Sequence, residues 1–306
     1  MKTPPLIGLV AATHTPFDAA GRLNLGVVEK QVEHLLRNGV NTAFIAGSTG
    51  ESHSLTVDER LALAKRWSEA VRGSPMRLVV HVGSNCLADA RTLATQAQSL
   101  GVTAIAALSP SYFKPRTLDT LVACCAEIAG AAPALPFYFY DIPILTNVHF
   151  PMPEFLNAAA ERIPNLRGLK FTNPDMMAYQ GCLRCQDGRF NIPWGLDEYL
   201  LGALALGAVG AVGSSYNFAA PIYHRVMAAF ARGDLVAART EQFRSVQLIE
   251  LLIRYGFTAA AKTAMGLVGV HVGPARLPNA PLTAEQASRL RVDLERLGFF
   301  DWVRCV

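Results

Sequence analysis

Short apolar runs, each followed by an amphipathic segment, recur along most of this chain. The runs are 6–12 (LIGLVAA), 42–46 (TAFIA), 77–82 (RLVVHV), 103–108 (TAIAAL), 135–140 (LPFYFY), 166–171 (LRGLKF), 190–194 (FNIPW) and 209–213 (VGAVG). In the first segment between them, Leu25, Val28, Val32, Leu35 and Leu36 fall on one helical face. The second opens at TVDE, where Thr56 and Glu59 are spaced for a capping box. Strands that read as unbroken apolar runs are covered on both faces, which is the condition of a parallel sheet built from βαβ units. Eight such units by about residue 232 predict an α/β fold, a (β/α)8 TIM barrel, which typically takes roughly 250 residues. The remainder reads as a C-terminal extension of three helices, 234–254, 258–269 and 283–298, with a proline-rich connector at 273–283. The expected organisation is therefore a barrel over 1–232 that carries the active site. An extension over 233–306 packs on it, giving a single structural domain. An open doubly wound sheet would need a glycine fingerprint after the first strand, and AATHTPF has none.

Charge and cysteine usage narrow the function classes. The 28 basic and 24 acidic residues give a net charge of +4 over 306 residues, with no basic run interleaved with aromatics, so no nucleic-acid partner is expected. The longest candidate for a leader is the seven-residue run Leu6–Ala12 after Lys2, and two prolines precede it. It fits a buried first strand equally well. No stretch approaches the roughly 20 apolar residues of a membrane span, so the expectation is a soluble cytoplasmic protein with no membrane partner. Cys86, Cys124, Cys125, Cys182, Cys185 and Cys305 show no framework spacing, and the lone Cys182-x-x-Cys185 pair lacks the second half of a zinc site. Reduced thiols are expected. Six of the seven histidines, His14, His53, His81, His149, His224 and His271, have no metal-ligand spacing and read as structural or surface residues.

In a barrel, chemistry sits at the C-terminal ends of the strands. RGLKFTN, 167–173, is the most informative such end. Strand alternation puts Gly168, Lys170 and Thr172 on one face, opposite Leu169 and Phe171. A lysine held inside a barrel loses hydration, which favours the neutral amine, and neutral amines form Schiff bases with ketones. The alternative is a lysine paired with a buried carboxylate. Tyr140 ends FYFYDIP, on one face with Tyr138, and can carry a proton there or serve as a satisfied interior tyrosine. GSTGES, 47–52, offers a turn of exposed amides with the Ser48 and Thr49 hydroxyls, suited to a carboxylate, and equally reads as an ordinary polar turn. It does not close as a nucleotide P-loop. In GLDEY, 195–199, Asp197 and Glu198 can accept hydrogen bonds from a polyol or cap the next helix. In GAVGAVGSSYN, 207–217, Ser214 and Ser215 present hydroxyls beside small residues.

The series GSTGE, Y-x-I-P, G-L-K-x-T, G-x-D-E and G-x-x-G-S-x-Y-N resembles the N-acetylneuraminate lyase and dihydrodipicolinate synthase family of class I aldolases, over about residues 6–280. The stretches AAPALPFYFYDIP, RGLKFT and GPARLP look most like its sialic-acid lyase branch. The resemblance implies reversible cleavage of N-acetylneuraminate to N-acetylmannosamine and pyruvate, with no metal or organic cofactor. It implies Lys170 as the Schiff-base residue, Tyr140 as the proton carrier, and Ser48 with Thr49 on the pyruvyl carboxylate. Thr172, Gly195, Asp197, Glu198 and Ser214 would line the sugar pocket. Tyr112 matches a tyrosine lent by a neighbouring subunit, which implies a homotetramer. The synthase branch carries an arginine two residues after the proline of Y-x-x-P; Leu145 stands there, so that branch loses its bidentate anchor. Asp141 also departs from the branch, which has Asn or His after the tyrosine. A carboxylate beside Tyr140 would change its acidity or the sugar preference. Two alternatives stand beside this reading: a sister aldolase or dehydratase acting on another 2-keto sugar acid, and a silent keto-acid-binding barrel.

Overall fold

The computed structural model describes residues 4–304; Lys2 and Cys305 lie outside the described residues. The strands are β1 (Gly8–Ala12), β2 (Thr42–Ile45), β3 (Arg77–His81), β4 (Ala104–Leu108), β5 (Phe137–Asp141), β6 (Leu166–Phe171) and β7 (Gly210–Gly213). They form one parallel sheet in the order β6-β5-β4-β3-β2-β1-β7. Between them run α1 (Val28–Arg37), α2 (Val57–Ala70), α3 (Leu87–Ser99), α4 (Leu118–Gly130), α5 (Pro143–Thr146), α6 (Met152–Arg162), α7 (Met176–Arg184) and α8 (Leu200–Leu206). After β7 come α9 (Tyr216–Ala231), α10 (Leu235–Arg254), α11 (Phe257–Leu267), α12 (Ala284–Leu297) and the short α13 (Phe299–Trp302), the last not expected from the sequence. The Thr56–Glu59 capping box opens α2 as expected, and a second, Thr283–Gln286, opens α12.

Side-chain parity divides the core into two shells. Val10, Ala12, Phe44, Val79, Ala106, Tyr138, Tyr140 and Val212 pack inside the barrel. Leu9, Ala11, Ala43, Ile45, Leu78, Val80, Phe137, Phe139, Leu169 and Phe171 face the helices. This is the alternation that the sequence predicts for Tyr138 and Tyr140 against their phenylalanine neighbours.

The expected strand at 190–194 is not a regular strand. It fills the seam between β6 and β7 through isolated parallel bridges, Gly168 with Asn191, Phe171 with Trp194 and Trp194 with Ala211. Pro193 has no N–H to give a ladder, though its carbonyl accepts from Phe171. Asn191 turns its side chain inward, where Oδ1 accepts from the Leu6 N–H and the Tyr138 hydroxyl, at 2.8 and 2.9 Å. Gly168 permits this closure, since a Cβ there would lie 1.8 Å from the Asn191 carbonyl oxygen. The barrel therefore closes through seven strands and an irregular eighth segment.

Candidate active site

A cavity of about 600 Å³ opens at the C-terminal end of the barrel. Lys170, Tyr140, Ser48, Thr49, Thr172, Gly195 and Ser214 all line it, each delivered by a different strand end or loop except the Lys170–Thr172 and Ser48–Thr49 pairs. A larger groove of about 1330 Å³ lies on the outer wall between α2, α3 and α4 and holds none of these residues. Tyr140 and Lys170 are direct partners in the β5–β6 register. The Lys170 Nζ sits 3.9 Å from the centroid of the Tyr140 ring and 4.8 Å from that of Phe44. It enters none of the ion pairs among the described residues, so the paired-lysine alternative is not what the barrel holds. The Tyr140 hydroxyl lies 3.4 Å from the Ser48 Oγ, a long contact of the kind a ligand can tighten. Thr49 and Ser214 share a hydrogen bond at 2.6 Å across the mouth. Gly195 is dictated by contact, because a Cβ there would come within 1.9 Å of the Thr172 Oγ1.

The loop after β2 is held by residues that motif reading passed over. Ala46 and Glu51 both adopt left-handed backbone, at φ 54° and 55°, a conformation that costs a non-glycine residue about 1–2 kcal/mol. Fixed partners compensate. The Ala46 carbonyl accepts from His81 Nδ1 at 2.9 Å, while His81 Nε2 faces the Leu108 N–H at 3.3 Å. An amide can only donate, so Nε2 is the acceptor and the ring is the neutral Nδ1–H tautomer. Burial, helped by the Arg60 cation, holds the His81 pKa well below its usual range. Its ring meets Tyr140 edge to face, with centroids 5.9 Å apart. Glu51 accepts from the Lys262 Nζ at 2.8 Å and the Arg276 N–H at 2.7 Å. Lys262 also donates to the Thr15 carbonyl at 2.9 Å, so α11 of the extension clamps the loops after β1 and β2. The sequence signal for His81 was its place at a strand end. Glu51 ends the GSTGE motif, which assigns it no role of its own, and nothing local in the sequence marks Lys262.

Other expected residues fall elsewhere. Asp197 is buried behind β7, where it accepts from the N–H and hydroxyl of Ser215, and it does not line the catalytic cavity. Burial raises its pKa. Glu198 lines a neighbouring cavity, and burial followed by the Asp197 charge raises its pKa. Tyr112 is 78% exposed beside Phe113 and reaches no part of the cavity of its own chain. His14 and His53, read from sequence as structural or surface, both line the cavity; burial lowers the His14 pKa to about 3.

Asp141 is not beside the Tyr140 hydroxyl. Alternation turns it to the opposite face, where it accepts from Asn173 Nδ2 at 3.2 Å. Burial pushes its carboxyl up to about 7 from 3.8. Between those values the folded chain keeps a proton that the unfolded chain has lost, so this group's contribution to stability falls as pH rises through the window. Asp141→Asn is expected to be more stable than the parent by about 1–3 kcal/mol at pH 8, with the difference fading towards pH 4. Denaturant melts at both pH values measure it, and equal differences at the two would contradict the assignment.

The profile of the dihydrodipicolinate synthetase family matches residues 5–297. The chain belongs to this family. It is 38% identical over 301 residues to the N-acetylneuraminate lyase of Rattus norvegicus, covering 97% of this chain and 94% of the relative. Among solved structures, the N-acetylneuraminate lyase of Proteus mirabilis superposes with a TM-score of 0.94 at 40% identity, over 97% of this chain and all (100%) of that one. The sialic acid aldolase of Aliivibrio salmonicida superposes with a TM-score of 0.94 at 41% identity, over 97% and 98% of the two chains. The seven-stranded barrel with its C-terminal helices is thus the fold of the family.

Proposed function

We propose that this chain is a class I aldolase, a carbon–carbon lyase that reversibly cleaves N-acetylneuraminate to N-acetylmannosamine and pyruvate. One observation carries the chemistry: a lysine amine in no ion pair among the described residues stands in the cavity against the face of Tyr140. The activity of the relatives supports the choice of substrate. Leu145 at the cavity wall supports the lyase over the synthase reading.

In this mechanism the Lys170 Nζ attacks C2 of the open-chain keto acid, and loss of water leaves an iminium. The substrate carboxylate rests on Ser48 and Thr49. The C4 hydroxyl gives its proton to the Tyr140 oxygen, which passes its own phenolic proton to the substrate carboxylate, as the C3–C4 bond breaks, and the bond's electron pair neutralises the iminium as an enamine. The aldehyde departs. Tyr140 returns the proton to C3, and water hydrolyses the new iminium to pyruvate and free lysine. The proton and electron pair balance within the site, and no cofactor enters the scheme.

Pyruvate release from N-acetylneuraminate, followed by a coupled dehydrogenase, tests the assignment; no release by folded protein overturns it. Tyr140→Phe keeps the ring under Lys170 and removes only the hydroxyl. It is expected to lower kcat by about 10²–10⁴-fold while borohydride still traps pyruvate. Loss of trapping would place Tyr140 in carbinolamine formation instead.

Three further expectations belong to the same reading. Tyr112 would serve a neighbouring site in a homotetramer: its backbone N–H and that of Ser111 are pinned on Asn85 Oδ1, at 3.0 and 2.8 Å, leaving the ring outside. Residues 1–232 and 233–306 would fold as one domain, in keeping with the Lys262–Glu51 clamp between them. A cytoplasmic setting accords with the five described cysteines all being free. Among the described residues no helix is long and apolar enough to cross a membrane.

A further inference from the structure

Three buried rings meet beneath the Lys170 amine. The centroids of Phe44 and Tyr140 lie 5.9 Å apart, those of His81 and Tyr140 5.9 Å, and those of Phe44 and His81 6.2 Å. The Lys170 Nζ stands over Tyr140 and Phe44. His81 completes the cluster from the side and also holds backbone. Its Nδ1–H donates to the Ala46 carbonyl at 2.9 Å, and its Nε2 accepts from the Leu108 N–H at 3.3 Å. One imidazole thus ties the end of β2 to the end of β4. The backbone around it is fixed in turn, because Arg60 donates to the His81 carbonyl at 2.8 Å and to the Gly83 carbonyl at 2.9 Å. Gly83 leaves room for the ring, since a Cβ there would lie 2.9 Å from His81 Nε2.

The two neighbours of His81 do different work in the proposed reaction. Ala46, in left-handed backbone at φ 54°, stands two residues before Ser48, where the loop that seats the pyruvyl carboxylate begins. Removing the Nδ1–H leaves the Ala46 carbonyl without that donor, and the turn loses what offsets its strain. Tyr140 carries the proton, and its hydroxyl lies 3.4 Å from the Ser48 Oγ. Removing the bulk of the imidazole opens space beside the phenol, and a phenol that tilts into it leaves its line to the C4 hydroxyl.

Resting on the aldolase reading, we propose that His81 is a positioning residue that serves the two parts of the site by separate means: its hydrogen bond sets the carboxylate loop, and its ring sets the Tyr140 phenol. It lies outside the cavity lining and acts through those neighbours. Two substitutions separate the means. In His81→Asn the side-chain amide puts an N–H in the place of Nδ1–H, and the ring is gone. In His81→Phe the ring stays, and both hydrogen bonds are gone.

The test reads the pyruvate concentration that half-saturates borohydride trapping, and kcat for condensation of pyruvate with N-acetylmannosamine at saturating pyruvate. His81→Phe is expected to raise the half-saturating concentration at least about tenfold, the scale of one hydrogen bond, with kcat within about threefold of the parent. His81→Asn is expected to do the reverse, with half-saturation within about threefold and kcat lower by at least about tenfold. If His81→Phe does not fold, His81→Gln takes its place, because its amide reaches the Nε2 position and leaves Ala46 unserved. Against His81→Asn it should show the same fall in kcat, with the tenfold rise in half-saturating pyruvate added. A merely structural role would move both readouts together in every variant, along with Tm, and that result overturns the proposal. So does a pair of variants in which neither readout moves, or a His81→Asn that does not fold. A parent that traps no pyruvate overturns the aldolase reading, and the role of His81 with it.

Discussion

Lys170→Ala loses aldol cleavage by on the order of 10⁴-fold or more, with the barrel still folded. The size follows from the proposed chemistry, because without the amine there is no iminium and the C3–C4 electrons have no sink. Removal of a covalent nucleophile commonly costs this much, whatever the remaining residues contribute. The fold is expected to survive. Lys170 makes no ion pair among the described residues, and it stands over the Phe44 and Tyr140 rings, which stay packed against each other at 5.9 Å. Lys170→Arg is the sharper control. It keeps a cation over the ring but has no neutral amine at working pH, so it should be as inactive as the alanine variant. Activity in Lys170→Arg within tenfold of the parent would mean that the cation, and not the nucleophile, matters.

The largest loss of stability is expected at a residue with no part in the chemistry. Lys262→Ala strands the Glu51 carboxylate, whose side chain is fully buried (0% exposed), and removes the cation over the Phe17 ring. Breaking one side of a buried pair costs about 3–5 kcal/mol, so Tm should fall on the order of 10 °C. The Arg276 N–H alone cannot offset that charge. Because Glu51 holds the left-handed turn that ends the 47–52 loop, KM for pyruvate should rise as well. Differential scanning fluorimetry with urea melts measures the first effect, and steady-state kinetics the second. The double variant Lys262→Met, Glu51→Gln removes the stranded charge and should recover part of the stability. A double variant as unstable as the sum of its parts would show that the pair acts through packing alone.

Much of the fold could be read in the chain because parallel strands covered on both faces leave a plain mark, an apolar run of five to seven residues between amphipathic helices. The run at 190–194 carried the same mark and misled. Pro193 and the inward Asn191 turn it into a bridged seam, which depends on how the barrel ends meet. The site was legible wherever parity and strand ends decide, as for Lys170, Tyr140 and Thr172. Asp197 and Glu198, neighbours in a short loop, part company in a way that the motif does not show: Asp197 is buried against Ser215 and Glu198 lines the neighbouring cavity. Lys262 and Glu51 are 211 positions apart in sequence, and their pairing is a product of docking the last helices on the barrel. Asp141 showed the value of alternation read one step further. It follows the tyrosine in sequence and faces away from it in space.

The account's central claim is that Lys170 carries the substrate covalently. The most direct measurement is mass spectrometry of the intact protein and its peptides after incubation with pyruvate and borohydride. The account predicts one pyruvyl adduct per chain, located on Lys170 and absent from Lys170→Ala. Well-folded protein that remains unmodified, or an adduct on another lysine, would contradict it.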